Sequence, residues 1–209
     1  LGGSKMKSID TIRLRATLGW LGFSLAWIVM ILCAVFQCVP GHVFPDSISA
    51  TYYYAPTITP FMIILGSAGL LLFSYKGYER IDDILCSLAG MFAIGICIFS
   101  CNTNDLINKL PEVSSLTNVG TFQISPTVSG VLHNICAVGF FALLAYNSLF
   151  LFTKGDASLN INKQKRNIIF RVCGVGMIVS FLAIVPISIF NWWGGVWVVE
   201  TFALAFFGV

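Results

Sequence analysis

Charged side chains are scarce in this sequence. Lys and Arg number 12 and Asp and Glu number 9, so charged residues fill 10% of the 209 positions, whereas 57% of the residues are hydrophobic. A soluble domain usually carries about 25% charged residues. This shortage leaves too few polar side chains to cover a water-soluble surface, which argues against a soluble enzyme domain and a disordered chain. A nucleic-acid partner is also not expected, because the chain cannot form a dense basic face.

Histidines are scarce as well. His42 and His133 are the only two, and no HxxxH or HExxH spacing occurs. A zinc site built from these two residues with Asp46 and Glu200 therefore has no support from spacing, and we assign no metal and no cofactor. The seven-span hydrolase superfamily that includes the alkaline ceramidases uses three histidines around a zinc ion, which this chain cannot supply.

The seven cysteines do not form any Cys-x-x-Cys motif, the motif that membrane thiol oxidoreductases use. We expect most of them to act as small apolar packing residues. Cys38 and Cys101 each end a predicted span on the same side of the membrane, so a structural disulfide between them is a hypothesis that the sequence leaves open.

Long apolar runs dominate the chain instead. A helix needs about 20 apolar residues to cross about 30 Å of hydrocarbon. Six runs of this kind are predicted, at about residues 17–39, 58–75, 83–101, 131–153, 168–190 and 192–209. The sequence therefore predicts an all-α, polytopic membrane protein with a single six-helix transmembrane domain at 17–209.

The two ends of the chain need separate treatment. Residues 1–16 are expected to form an N-terminal cytoplasmic segment, of which Leu1 to Ser4 looks like a cloning scar. The last run is still apolar at Val209, and we expect a short further tail after it.

Basic residues are distributed unevenly between the two sides of these spans. Eleven of the 12 Lys and Arg residues fall on one side, and Lys109 is the only one on the other. Because cytoplasmic loops carry the excess of Lys and Arg, both termini are predicted to be cytoplasmic, with the loops 40–57, 102–130 and 191–194 outside. Because predicted spans make up most of the chain, we favour a bacterial inner (plasma) membrane as its location.

Structural roles are expected for two further groups. Asp82 and Asp83 lie at the start of the third span, where carboxylates stabilise the helix dipole, and we favour this role over a catalytic acid pair. Small residues such as Gly69 and Gly90 recur within the spans and predict close contacts between helix backbones.

Polar residues inside the spans are the main functional signal, because a polar group in hydrocarbon must find a partner. Glu200 lies about eight residues into the sixth span, and His133 opens the fourth. Gln37 lies two residues before the outer end of the first span, and Asn102 closes the third. All four are predicted to reach a similar depth in the outer third of the membrane. Two interpretations are open. The four residues line a cavity that holds a polar head group or performs proton chemistry, or they bond to each other and to neighbouring helices.

A short outer loop follows the first span. It contains Asp46, Ser47 and Ser49, whose side chains can bond nearby backbone N–H groups and form a tight turn. The loop could also cover the predicted cavity, so we include these three residues among the candidate ligand-binding residues.

The chain resembles a group of small bacterial six-span membrane proteins of unknown function that is distantly related to the DRAM-type family. The likeness rests on the Pro-Asp-Ser-Ile-Ser segment at 45–49, the third-span residues 88–95, His133 and Glu200. The resemblance implies a six-helix bundle and residence in a membrane, and it implies no established activity. Ala50 stands where we expect an acidic residue in that family.

Three functions remain open at this point. The preferred hypothesis is that the protein binds or handles a lipid-like amphiphile through a polar cavity in the outer leaflet, with membrane lipids as its surroundings. The second is an intramembrane hydrolase with His133 or Glu200 as general base, for which the sequence identifies no nucleophile. The third is a structural or assembly subunit. An enzyme is therefore uncertain and not the preferred interpretation.

Overall fold

The computed structural model describes residues 2–39, 41–77, 79–102, 116–154, 161–190 and 192–208. Its long helices are α1 (Gly2–Val35), α2 (Ala55–Ser74), α3 (Arg80–Ile98), α4 (Pro126–Tyr146), α5 (Ile161–Ile189) and α6 (Gly195–Gly208). A 3-10 helix, Ser49–Tyr53, precedes α2, and a π-helical turn, Asn147–Leu151, extends α4. Within these ranges the only β-type pairing is one isolated bridge between Val119 and Ile124. The all-α prediction is therefore confirmed.

Five of the helices are long and apolar enough to cross a membrane, and a shorter apolar helix follows at Gly195–Phe207. These helices overlap the six predicted runs, and α1 starts earlier than expected. Its helix begins at Gly2, so the described part of the predicted segment 1–16 continues into the first apolar run without a break. Residues 103–115, which include Lys109, and residues 155–160 and 209 lie outside the described part of the chain.

Helices that follow one another in the sequence pack side by side. Each pair from α1–α2 to α5–α6 is in contact, and α6 also packs against α1, which closes the bundle into a ring. The buried core inside this ring includes Val29, Phe61, Leu144 and Met177. Both α4 and the π-helical turn Asn147–Leu151 contact α5.

Small residues bring α2 and α3 together, as the sequence predicted. A Cβ atom on Gly90 would lie 2.6 Å from the Gly69 carbonyl oxygen, and one on Gly69 would lie 3.1 Å from the Gly90 carbonyl oxygen. Neither contact leaves room for a side chain, so the two helix backbones touch at these glycines.

A charged cluster lies at the start of α3. Asp82 accepts a hydrogen bond from the Glu79 backbone N–H at 3.2 Å, and Asp83 accepts one from the Gly77 N–H at 2.7 Å. Asp82 therefore forms a capping box with Glu79, as the capping prediction requires, whereas Asp83 bonds to the turn that precedes the helix. Lys154 pairs with the buried Asp82 carboxylate at 2.5 Å, and this hydrogen bond is the main reason that the pKa of Lys154 is raised.

Candidate functional site

A cavity of about 490 Å³ lies at the opposite end of the bundle from the Asp82 cluster. We call this end the site end. The cavity is bounded by α4, α5, the start of α6 and the segment that leads into the 3-10 helix. Its lining residues are Asp46, Ser47, Ser49, Ala50, Cys101, Asn102, His133, Asn134, Ala137, Val138, Phe141, Phe181, Ile184, Val185, Ile187, Ser188, Trp192, Val196 and Glu200.

Six of the seven candidate residues from the sequence line this one cavity. They come from four parts of the chain that are far apart in sequence: the segment 46–49, the end of α3, the start of α4 and α6. The six residues are Asp46, Ser47, Ser49, Asn102, His133 and Glu200. The bundle therefore brings them together as the common depth in the spans predicted.

Gln37 is the exception. Helix α1 ends at Val35, and Gln37 follows in a left-handed backbone conformation with φ of 48° and an exposed side chain. Because α1 packs against α2 and α6, its end is separated from the α4–α5 side of the ring where the cavity lies. Gln37 therefore does not line this cavity with the other candidates, contrary to the expectation.

The polar end of the cavity is built around the segment 46–49, which is fastened to α6. The Glu200 carboxylate accepts a hydrogen bond from the Ile48 N–H at 2.5 Å, and the Ser49 N–H also faces this carboxylate. Asp46 accepts from the Gly194 N–H through its side chain at 3.1 Å and from the Trp197 N–H through its carbonyl oxygen at 3.0 Å. Such bonds satisfy backbone groups that would otherwise be left without partners in an apolar bundle.

Glycine is required where this segment meets α6. Gly194 has a φ of +68°, and a Cβ atom at this position would lie 2.1 Å from the Phe44 ring. The same ring stacks on Trp197 with a centroid distance of 4.9 Å. The segment is thus held against α6 by ring packing as well as by the bonds of Asp46 and Glu200.

His133 holds the same segment from α4. Its Nδ1 lies 2.7 Å from the Phe99 carbonyl oxygen, and its Nε2 lies 3.0 Å from Ser49 Oγ. The Ile96 carbonyl also faces this ring. A carbonyl oxygen can only accept, so Nδ1 donates to Phe99. In the neutral ring Nε2 is then the acceptor, and the Ser49 hydroxyl donates to it.

Glu200 and His133 therefore do not bond to each other in the structure. Each bonds instead to the segment around Ser49, from opposite sides: Glu200 to the Ile48 N–H and His133 to the hydroxyl. His133 is only 3% exposed. This arrangement holds the Ser49 side chain at the boundary between the protein interior and the cavity.

The other end of the cavity is apolar and lies between α4 and α5. The rings of Phe141 and Phe181 are 5.7 Å apart across this seam. Val138 and Val185 line the cavity and are nevertheless 49% and 61% exposed. The cavity is therefore open to the side of the bundle through the α4–α5 seam.

The charges around the cavity are of one sign. Asp46 and Glu200 line it, whereas none of its described lining residues is Lys or Arg. Trp192 adds an aromatic ring at the same end. An aromatic face and carboxylates attract cations and hydrogen-bond donors, so the polar end is suited to a neutral or cationic group.

The structure does not join Cys38 and Cys101 in the hypothesised disulfide. Cys38 packs beside Cys33, Val39 and Tyr54, whereas the Cys101 thiol donates to the Ser49 carbonyl oxygen at 3.5 Å. The two thiols thus point into different clusters, although both follow helices that end at the site end.

Among the described residues, no group of three or more His, Cys, Asp and Glu side chains is arranged to hold a metal ion. Of the four residues considered for zinc, His42 stacks on Trp193 with a centroid distance of 4.0 Å and does not line the cavity.

Several lining residues were not singled out from the sequence. Asn134 follows His133 directly, and Ser188 lies two residues after the helix proline Pro186. Both are polar positions within predicted spans, so the criterion that selected His133 could have found them. The aromatic residues at the apolar end carry no such signal, since Phe occurs 18 times in the chain.

Comparison of the chain with known proteins gives no match: no family model, no curated protein and no solved structure matches it.

Proposed function

We propose that this protein is a multi-pass membrane protein that binds a lipid-like amphiphile in the cavity at its site end. The observation that carries the proposal is the division of a single cavity into a polar end at segment 46–49 and an apolar end between α4 and α5. A volume of about 490 Å³ falls within the range of about 300 to 1,000 Å³ that is usual for small-molecule sites.

The lateral opening supports a ligand that comes from the bilayer. Val138 and Val185 belong both to the cavity lining and to the apolar outer surface of the bundle. An acyl chain in the membrane can therefore pass between α4 and α5 without crossing water. Its head group then lies at the polar end, where the lining carboxylates of Asp46 and Glu200 favour a neutral or cationic head group over an anionic one.

The proposed placement in the membrane has six spans with both termini in the cytoplasm of a bacterial-type cell, in the inner membrane. The uneven distribution of Lys and Arg supports this orientation. The site end then lies at the outer leaflet. The DRAM-like resemblance is compatible with this proposal, but it does not imply any particular activity.

A cavity-filling variant tests the proposal. Ala137 lines the cavity, whereas Ala142, one turn further along α4, is exposed on the outer surface of the helix. Ala137→Trp fills the space, and Ala142→Trp places the same side chain against lipid. We expect native mass spectrometry of the gently solubilised protein to detect a stoichiometric amphiphile in the wild type and in Ala142→Trp, and at least a tenfold lower occupancy in Ala137→Trp.

Lipid extraction from the same samples identifies the head group. Equal occupancy in the two tryptophan variants would refute binding in this cavity. An empty wild-type protein, with both variants folded and equally stable, would favour the role of a structural or assembly subunit instead.

A further inference from the structure

The pair of Ser49 and His133 has the geometry of a nucleophile and its base. Ser49 Oγ is 3.0 Å from His133 Nε2, within the range of about 2.6 to 3.2 Å that proton transfer requires. The other ring nitrogen donates to the Phe99 carbonyl oxygen at 2.7 Å, which fixes the tautomer that leaves Nε2 free to accept. A nucleophile, a base and a group that orients the base are thus arranged in series.

We propose that Ser49 is a nucleophile, that His133 is its general base, and that the cavity catalyses acyl transfer from an ester-linked amphiphile. The inference rests on the proposed binding function and adds a reaction to it. The sequence supplied a candidate base without a nucleophile, and the fold brings one to it from 84 positions away in the chain.

The position of Ser49 in the cavity suits this role. Both residues line the cavity, but Ser49 is partly exposed and His133 is only 3% exposed. Incoming ligand therefore meets the hydroxyl first, and the imidazole is shielded from bulk water. The hydrogen bond from the Ile48 N–H to Glu200 holds the backbone next to the nucleophile, which makes Glu200 a positioning residue.

An ester at the junction of head group and acyl chain matches the two ends of the cavity. The junction would lie at Ser49, with the chain along the apolar side chains of α4 and α5. Two amide side chains, Asn102 and Asn134, also line the cavity, and an amide NH₂ group is the kind of donor that stabilises the oxygen that becomes negative during attack.

The reaction balances with water as the second substrate. Ser49 Oγ attacks the ester carbonyl carbon while His133 Nε2 takes the hydroxyl proton. The bond from the carbonyl carbon to the alkoxy oxygen then breaks, and His133 returns the proton to the leaving alcohol. Water, deprotonated by His133, attacks the acyl-Ser49 ester, the carboxylic acid leaves, and Ser49 regains its proton.

An alkyl fluorophosphonate tests the nucleophile directly, because it forms a stable adduct with activated serines only. We expect one adduct per wild-type protein by intact mass, located at Ser49 by peptide mapping. Ser49→Ala should abolish it, and His133→Gln should slow its formation at least 100-fold, since general base catalysis contributes about 10² to 10⁴ in rate.

Ser129→Ala is the matched control. Ser129 is a fully buried serine that bonds to Ser100 Oγ at 3.1 Å and does not line the cavity. It loses a buried hydroxyl as Ser49→Ala does, so it should label like the wild type. Cysteine variants provide a second test in case Ser49→Ala does not fold. Ser49→Cys should react with an alkyl iodoacetamide at least tenfold faster than Ser129→Cys.

Binding is measured beside labelling with an ether-linked amphiphile that cannot be cleaved. Retention of this ether by wild type and Ser49→Ala, without any adduct in the wild type, would overturn the acyl-transfer proposal and leave the binding proposal intact. Loss of both retention and labelling in the folded wild type would refute both. An adduct that persists in Ser49→Ala would assign the chemistry to another residue and overturn this assignment.

Discussion

The Glu200 carboxylate should contribute strongly to stability, because it accepts the Ile48 N–H and faces the Ser49 N–H in the segment that carries Ser49. Glu200→Gln keeps the size of the side chain and removes its charge. A glutamine keeps one carbonyl oxygen, which can accept from the Ile48 N–H as a neutral acceptor. Its NH₂ group replaces the second carboxylate oxygen and places a donor, in place of an acceptor, opposite the backbone N–H groups of the segment.

The expected loss follows from these two contacts. Hydrogen bonds to charged groups contribute about 1.5 to 3 kcal/mol and neutral ones about 0.5 to 1.5 kcal/mol, so the loss of charge weakens the Ile48 bond by about 1 to 1.5 kcal/mol. A Ser49 N–H without an acceptor costs about 1 to 3 kcal/mol, so the free energy of unfolding should fall by about 2 to 4.5 kcal/mol. At about 2 to 4 °C per kcal/mol for a chain of this size, Tm should fall by about 4 to 18 °C.

Thermal unfolding of the detergent-solubilised protein, followed by tryptophan fluorescence, measures this change. Glu79→Gln is the control, because the Glu79 side chain is 65% exposed and its ion pair with Lys154 at 3.2 Å should contribute less than about 1 kcal/mol. Glu200→Asp keeps the charge and withdraws the carboxylate by one methylene, so it should also lose Tm. If Glu200→Gln unfolds within 2 °C of the wild type, Glu200 does not anchor segment 46–49 and the reasoning fails.

Two further changes test the rest of the bundle. Lys154→Met removes the ammonium group that lies 2.5 Å from the Asp82 carboxylate, and the Asp82 side chain is only 1% exposed. The variant should destabilise the protein by about 1 to 3 kcal/mol, and adding Asp82→Asn should partly restore the stability. Chemical denaturation measures both, and an unchanged midpoint would contradict the pairing. Gly90→Val should separate α2 from α3, because a Cβ atom there would lie 2.6 Å from the Gly69 carbonyl oxygen; we expect a loss of about 1 to 3 kcal/mol. Gly66→Val is its control, since a Cβ atom on Gly66 meets nothing within 4 Å, and an equal effect of the two would rule out the close contact.

The helices could be predicted because an apolar run in a membrane must satisfy its own backbone, and a helix does so within one segment. Their ends depend on local capping groups, such as the Ser125 hydroxyl that accepts the Val128 N–H at the start of α4. The early start of α1 could not be found in this way. Hydropathy detects the part of a helix that can lie in hydrocarbon, and it is insensitive to a polar helical extension such as residues 2–12.

The candidate site was predictable to the extent that depth in a span determines it. His133, Asn102 and Glu200 were assigned to one layer from their distances to span ends, and they line one cavity. Depth says nothing about the angular position of a helix in the ring, which is why Gln37 was wrongly included. Hydrogen-bond partners also depend on how each helix is positioned and rotated in the ring, so only the structure shows the contact of His133 with Ser49.

The spacing along α4 connects the polar and apolar ends of the cavity. His133, Ala137 and Phe141 are four residues apart, so they share one face of the helix, and all three line the cavity. At 1.5 Å per residue, Phe141 lies about 12 Å from His133 along the helix axis. An acyl chain whose carbonyl group is at Ser49 can therefore extend about 12 Å before it meets the Phe141 and Phe181 rings. A longer chain must leave through the α4–α5 seam and remain partly in the bilayer. In the proposed reaction, the same face of α4 carries His133, which contacts Ser49, and the surface that would receive the chain, so a ligand that displaces α4 would also change the distance between His133 and Ser49.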